Sequence, residues 1–255
     1  MAQLMPPGRG ARIGGPAPGG DSFPRSRAGG KRAAVVLLSG GMDSATCLAI
    51  AQSARAEVHA LTVAYGQRHA VEVERARALS RARAVASHRV VELDLRAFGG
   101  SALTADIAVP KDRAPGDAGV PATYVPARNT IFLSLALGLA EVVDAGEIFI
   151  GVTAVDYSGY PDCRPEFIAA FASLAAVATR AAVERGRPVA IQAPLLRMSK
   201  AEIVRTGLAL GLDYGLTHSC YDPTPAGLAC GRCDACALRR RGFAQAGVAD
   251  PTHYA

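Results

Sequence analysis

The sequence predicts an α/β protein, a Rossmann-like parallel sheet sandwiched by helices, with a small C-terminal four-cysteine knuckle. Three observations lead there. Short apolar runs alternate with longer Ala-rich stretches carrying Arg and Glu, the pattern of buried parallel strands joined by crossover helices. The first apolar run passes through Ser-Gly-Gly into a helix-like segment, a strand–loop–helix order. Four cysteines close to the C-terminus are spaced C-x9-C-x2-C-x2-C.

The chain opens on a segment set apart by composition. Residues 1–32 hold clustered Gly and Pro and six basic side chains against Asp21, so they build no core and read as a flexible extension. A weak RNA-contacting tail is the lesser reading. The segment carries +5 of the chain's net charge of +6, leaving +1 on the rest, so no broad basic face for nucleic acid is expected on the folded body. The 255 residues, half of them hydrophobic, suffice for an ordinary core that buries roughly 70 to 75% of the unfolded surface. No run approaches the length of a membrane span and the basic N-terminus lacks the apolar stretch of a signal peptide. A cytoplasmic protein without membrane association is expected.

Residues 33–38 form the first expected strand, and a helix starts near Asp43. Further strands are expected at 59–65, 88–93, 147–152 and 188–192, with helices over 69–87, 127–145 and 165–186. The Gly- and Pro-containing stretch 96–124 lacks periodicity and is either a substrate loop or lid, or structural padding. The expected organisation is an extension (1–32), a main domain (33–215), a metal-binding subregion (216–243) and a tail (244–255).

Between the first strand and helix, Ser39, Gly40, Gly41, Met42, Asp43 and Ser44 form a loop whose glycines let helix N-terminal amides face phosphate oxygens. Ser39 and Ser44 add hydroxyl donors; Asp43 orients Mg²⁺ or its waters, or else caps the helix. SGGMDS directly after VVLL resembles the pyrophosphate loop of ATP pyrophosphatases, which implies cleavage of ATP to AMP and diphosphate. It is neither a Walker lysine loop nor a dinucleotide GxGxxG turn.

Cys220, Cys230, Cys233 and Cys236, the last three in a short polar turn, suit a closed structural Zn²⁺ site. An iron–sulfur cluster and redox thiols are the alternatives. His218 beside them supports the knuckle by hydrogen bonding. Cys47, inside the first helix, reads as a buried free thiol, and Cys163 as a loop cysteine of undetermined exposure. His59, His69, His88 and His253 lack ligand spacing and read as packing, surface or tail residues.

Arg128 and Asn129 stand at the entrance to an apolar helix, to bind phosphate, a base edge or a carboxylate, or merely to cap it. The segment GVTAVDYSGYPDCRPEF leaves a strand at its carboxyl end, where Asp156, Ser158, Asp162 and Glu166 can recognise a polar heteroaromatic substrate and Tyr157 and Tyr160 offer stacking faces. Ser199 reads as a helix cap. Lys200 behind it reads equally as a phosphate contact or a solvated charge.

Together VVLLSGGMDSATCLA, YVPARNTIFLSLA, VDYSGYPDCRPEF, PLLRMSKAEI and SCYDPTPAGLACGRCDACALR resemble the 7-cyano-7-deazaguanine synthase family of queuosine biosynthesis, over about residues 33–243. The resemblance implies an adenine nucleotide alpha hydrolase-like fold and a carbon–nitrogen ligase. It implies conversion of 7-carboxy-7-deazaguanine, ammonia and two ATP to the 7-cyano product, two AMP and two diphosphates through adenylated acid and amide. It also implies ATP as cosubstrate, Mg²⁺, one structural Zn²⁺ per subunit and a homodimer, with no stable nucleic-acid partner. Residues 38–48 become the nucleotide segment, Leu38 to Ser44 continuing through Ala45, Thr46, Cys47 and Leu48, with Lys200 added. Ser39, Asp43, Ser44 and Arg128 become the catalytic set, and Arg128 with the residues of the middle loop the substrate contacts. Another pyrophosphatase of this loop class, such as a tRNA sulfur transferase or an amide-forming synthetase, is the main alternative; a zinc-ribbon nucleic-acid module is the weaker one.

Overall fold

The computed structural model describes residues 33–54, 56–67, 71–113, 119–153 and 159–255, all within the unit Lys31–Ala255. The 1–32 extension, His69 and the expected site residues Asp156, Tyr157 and Ser158 lie outside the described residues.

Five strands, β1 (Ala33–Leu37), β2 (Glu57–Ala64), β3 (Ser87–Glu92), β4 (Glu147–Phe149) and β5 (Ala190–Gln192), form one wholly parallel sheet in the order β3-β2-β1-β4-β5. The chain steps outward from β1 to β3, then returns to the other side of β1 for β4. The carboxyl ends of β1 and β4 therefore flank a topological switch point, where open parallel sheets leave a crevice.

Alternation along β1 divides the core in two. Ala34 and Val36 face one cluster with Leu48 of α1 (Met42–Ser53), Leu79 of α2 (Val71–Ala82), Ile203 of α6 (Lys200–Ala209) and Phe243 of α7 (Asp234–Ala246). Val35 and Leu37 face the other, with Leu133 of α3 (Arg128–Val142) and Phe171 of α4 (Pro165–Ala178). The period-2 pattern of a strand buried on both faces thus produces the expected sandwich. Among the described residues no helix is long and apolar enough to cross a membrane.

Local chemistry moves several expected boundaries. The helix expected over 165–186 breaks at Thr179, which is extended and accepts the Ala182 amide with its side chain at 3.2 Å, so that α5 (Arg180–Arg185) starts afresh. A Thr hydroxyl offers the backbone a local partner that helix propensity alone does not reveal. The last three cysteines do not share one turn: Cys233 is the N-cap of α7 and Cys236 lies in its first turn. Ser199 does cap α6, in a capping box with Glu202.

The segment between α6 and α7 is anchored from within. Arg239 of α7, 1% exposed, donates to Asp250 at 3.0 Å, to the Thr217 hydroxyl at 2.6 Å and to the Tyr214 carbonyl at 3.1 Å. Tyr214 is itself buried, its hydroxyl bonded to the Ile203 carbonyl and to Thr46, each at 2.8 Å. Gly207 leaves room for that hydroxyl, since a Cβ there would lie 2.1 Å from it. Gly207→Ala is therefore expected to destabilise the fold by about 1–3 kcal/mol through overpacking, read as a lowered midpoint in urea unfolding.

Candidate functional site

A cavity of about 260 Å³ occupies the switch point, walled by the loop after β1, the ends of β2 and β4, the N-termini of α1, α3 and α6, and the segment before the cysteines. The loop's shape depends on Gly40, whose φ is +89° and whose Cβ, if present, would lie 2.3 Å from the Glu72 carbonyl oxygen. Its own carbonyl accepts the His218 amide at 2.9 Å, which clamps the loop from outside. Gly40→Ala is expected to raise the Kd for ATP at least tenfold with the rest of the sheet intact, as measured by calorimetry.

Gly41 is the N-cap of α1 and provides no side-chain cap. The helix N-terminus, positive by its dipole, is thus available to an anion. The loop braces itself instead: the Ser39 amide donates to Ser44 Oγ at 3.1 Å, the two serine hydroxyls lie 3.0 Å apart, and Ser44 Oγ donates to the Gly41 carbonyl at 3.0 Å. Gly151, just past β4, packs directly on this helix start, with a Cβ there falling 3.0 Å from the Ser44 amide.

Asp43, in the first turn of α1, accepts from Lys200 Nζ at 2.6 Å through Oδ2. Its Oδ1 is buried and has no hydrogen-bond partner, and such an atom is costly to leave unpaired. Lys200, 10% exposed in its side chain, is an ion-paired group in the cavity wall and not a solvated charge. Gly242 of α7 makes its position possible, because a Cβ at that site would come 2.6 Å from that of Lys200.

Across the cavity Arg128 starts α3 and donates to the Tyr65 hydroxyl at 3.3 Å while lying 5.7 Å from that ring's centre. Burial pushes the Tyr65 pKa up to about 12, against the pull of Arg128, so the hydroxyl stays neutral. The α3 N-cap, Ala127, has no capping side chain. Asp162 supplies the cap from a distant segment, accepting the Asn129 amide at 2.9 Å through Oδ2. The Asn129 side chain returns bonds to the Asp162 carbonyl at 2.9 Å and to Cys163 Sγ at 3.3 Å. Asn129 therefore braces the site and caps nothing.

The cavity wall thus contains Leu38, Ser39, Gly41, Met42, Asp43 and Ser44 of the expected loop, together with Arg128, Tyr160 and Lys200. Tyr160 is buried with its hydroxyl 2.8 Å from that of Thr123. Ala45, Thr46, Cys47 and Leu48 are buried in α1 behind the wall. Burial raises the Cys47 thiol pKa far above the ordinary value, with Asp43 adding to the effect, which leaves it unreactive. Asp162 is buried outside the wall, and Glu166 is exposed in the first turn of α4. The wall also contains Tyr65, Glu72, Ser219 and Tyr221, which the sequence reading missed. Tyr65 had a signal, since it closes the apolar run of β2 at the carboxyl end of the strand; Glu72 looked like one more acid on a surface helix.

The four Sγ atoms of Cys220, Cys230, Cys233 and Cys236 lie within 4.8 Å of one another. The Asp222 and Cys230 amides donate to Cys220 Sγ at 3.3 and 3.2 Å, and the Cys233 amide to Cys230 Sγ at 3.4 Å, bonds that favour thiolates. These residues form a metal-binding cluster. The 96–124 stretch packs on it: Lys111 bridges to Cys233 and pairs with Asp222 at 2.7 Å, and the Asp112 amide donates to the Arg232 carbonyl at 2.9 Å. Among the described residues it contributes no side chain to the cavity wall.

The profile of the queuosine biosynthesis protein QueC family matches residues 33–247. The 7-cyano-7-deazaguanine synthase of Geobacter sulfurreducens is 64% identical over 223 residues, covering 88% of this chain and 93% of its own. That of Myxococcus xanthus is 63% identical over 224 residues, covering 87% of this chain and 96% of its own. The synthase of Anaeromyxobacter dehalogenans is 64% identical over 227 residues, with 88% and 96% covered.

Proposed function

The chain belongs to the QueC family of queuosine biosynthesis proteins, and from that membership and the cavity's geometry we propose how it performs the family reaction. It is an ATP-dependent carbon–nitrogen ligase that converts 7-carboxy-7-deazaguanine to 7-cyano-7-deazaguanine, with the loop after β1 as its ATP-binding pyrophosphate loop. The observation that carries the mechanism is the Asp43–Lys200 pair set beside the uncapped start of α1.

In this reading a carboxylate oxygen of the acid attacks the ATP α-phosphorus and diphosphate leaves. Ammonia then attacks the acyl carbon and AMP leaves, giving the amide. The amide oxygen attacks a second ATP in the same way, and loss of AMP with the remaining N–H proton gives the nitrile. Ser39, Gly40, Gly41, Met42 and Ser44 hold the departing diphosphate through amides and hydroxyls. Lys200 orients Asp43 and adds positive charge at the same end. Arg128 faces the acid's carboxylate and the α-phosphate, and Tyr160 lines the deazapurine pocket. Asp162 acts at one remove by fixing the start of α3.

The orphaned Asp43 Oδ1 is a hard oxygen donor beside the phosphate loop, which fits Mg²⁺. When bound, that ion neutralises charge on the diphosphate. The four thiolates fit one structural Zn²⁺ per subunit, closed to substrate. A sulfur-transferase reading has less support, because Cys47 is buried behind the wall, and Cys163, which borders the cavity, is 9% exposed with its thiol pushed by desolvation up to about 11. A homodimer belongs to the same reading and is measured by analytical ultracentrifugation. The protein supplied with ATP, Mg²⁺, ammonium and 7-carboxy-7-deazaguanine is expected to yield the nitrile and two AMP per nitrile by mass spectrometry; absence of both from metal-replete protein contradicts the reading.

A further inference from the structure

The reaction consumes ammonia, yet at neutral pH the nitrogen arrives almost wholly as ammonium, which has no lone pair to attack a carbonyl. Among the described residues two carboxylates line the cavity, Asp43 and Glu72. Asp43 is committed to Lys200. Glu72 stands in the first turn of α2 with its backbone against the phosphate loop at Gly40. It also lines a second, smaller cavity of about 20 Å³ that shares Tyr65, Gln67, Glu72, His218 and Tyr221 with the main one. That volume holds a single water-sized molecule, and ammonia is of that size. Among the described residues Glu72 is the one carboxylate of this side cavity.

We propose that Glu72 is the ammonium-receiving group: its carboxylate binds ammonium where the two cavities join, takes one proton and releases ammonia toward the acyl-adenylate. The assignment rests on the substrate reading above. The freed lone pair forms the C–N bond, the C–O bond to phosphate breaks with its electrons on AMP, and the surplus nitrogen proton leaves with the departing phosphate. Glu72 then returns its own proton to solvent.

The surroundings suit that exchange. Desolvation pushes the Glu72 pKa up to about 7, against the lowering influence of Arg128 on α3, and a base poised near the working pH serves proton transfer best. The other ionisable groups lining the side cavity are Tyr65 after β2, His218 just before the knuckle, and Cys220, a member of the metal cluster, with Tyr221 directly after it. Burial holds both tyrosine pKa values well above their ordinary range, so neither ionises with Glu72.

The test is Glu72→Gln in the full-length, metal-replete protein, with three readouts. Acid-dependent ATP–diphosphate exchange without ammonium reports adenylation and correct folding. Steady-state kinetics report kcat/KM for ammonium. Hydroxamate formation from hydroxylamine, a nucleophile already neutral at neutral pH, reports attack that needs no prior deprotonation. We expect kcat/KM for ammonium to fall about 100-fold, to recover as rising pH supplies free ammonia, and exchange and hydroxamate formation to stay near wild type. Unchanged ammonium kinetics overturn the assignment, as does an equal fall in all three readouts, which marks a structural role. A wild-type protein that shows no exchange with the acid overturns the substrate reading itself, and the assignment with it.

Discussion

Asp43→Asn is expected to lower kcat by about 100- to 1,000-fold, the scale of losing one group that stabilises transition-state charge, with the cavity shape preserved. Asn cannot offer an anionic oxygen at the buried position of Oδ1, and it leaves Lys200, 10% exposed, with an uncompensated charge. The second effect costs stability as well, up to about 3–5 kcal/mol for a buried pair broken on one side, and less here because the Asp43 side chain is 28% exposed. A double variant separates the two. Asp43→Asn with Lys200→Met removes the stranded charge, so its thermal midpoint should recover much of the loss while turnover stays low. Recovery of turnover along with stability would show that Asp43 serves only to neutralise Lys200.

Cys233→Ser is expected to have the largest effect on stability. Cys233 is fully buried, stands at the N-cap position of α7 without a side-chain cap bond, and accepts the Tyr221 amide at 3.5 Å, so one substitution disturbs the metal cluster and a wall residue of the cavity. Structural zinc contributes on the order of 10 kcal/mol to small metal domains, comparable with the whole stability of an ordinary fold. Elemental analysis should find about one zinc per chain in the wild type and well under half of that in the variant. The thermal midpoint should fall by more than 10 °C. Undiminished zinc in the variant would exclude Cys233 as a ligand. The same cluster carries the acid sensitivity expected of thiolate ligands, since protons compete for the sulfurs.

A second acid-sensitive point lies nearby at Asp250. Its pKa is held below the ordinary carboxylate value although burial opposes this, because the Tyr254 hydroxyl and Arg239 favour the ionised form. A depressed carboxylate contributes stability that is present above its unfolded pKa and lost as pH falls through the folded one. Asp250→Asn should therefore flatten the loss of stability below about pH 4.

Much of this architecture was legible in the residues. Each apolar run produced a strand of the parallel sheet, and SGGMDS lies at the end of the first, because strand–loop–helix order is a local property of the chain. The cysteine spacing likewise identified the metal cluster without knowledge of the fold. What escaped was determined by tertiary packing. Asp162 looked like a substrate contact because it is polar and follows Tyr160, but α3 lacks a capping side chain of its own and draws on that carboxylate instead. Glu166 shared the motif yet faces away from the cavity, since helical periodicity from Pro165 turns it outward. Thr179 split one expected helix into two through a single hydroxyl bond. Glu72 and Tyr221 reach the cavity only because α2 and the segment around Cys220 close around the loop, a juxtaposition of residues about 150 apart in sequence that no local pattern encodes.

In the proposed mechanism one pyrophosphate loop activates an oxygen of the same carboxyl group twice. That double activation is tested most directly with 7-carboxy-7-deazaguanine carrying ¹⁸O in both carboxylate oxygens, turned over with ATP, Mg²⁺ and ammonium, and the AMP pool analysed by mass spectrometry. Two rounds of oxygen activation place a single ¹⁸O in each of two AMP molecules per nitrile formed. AMP without label, formed alongside the nitrile, would contradict it.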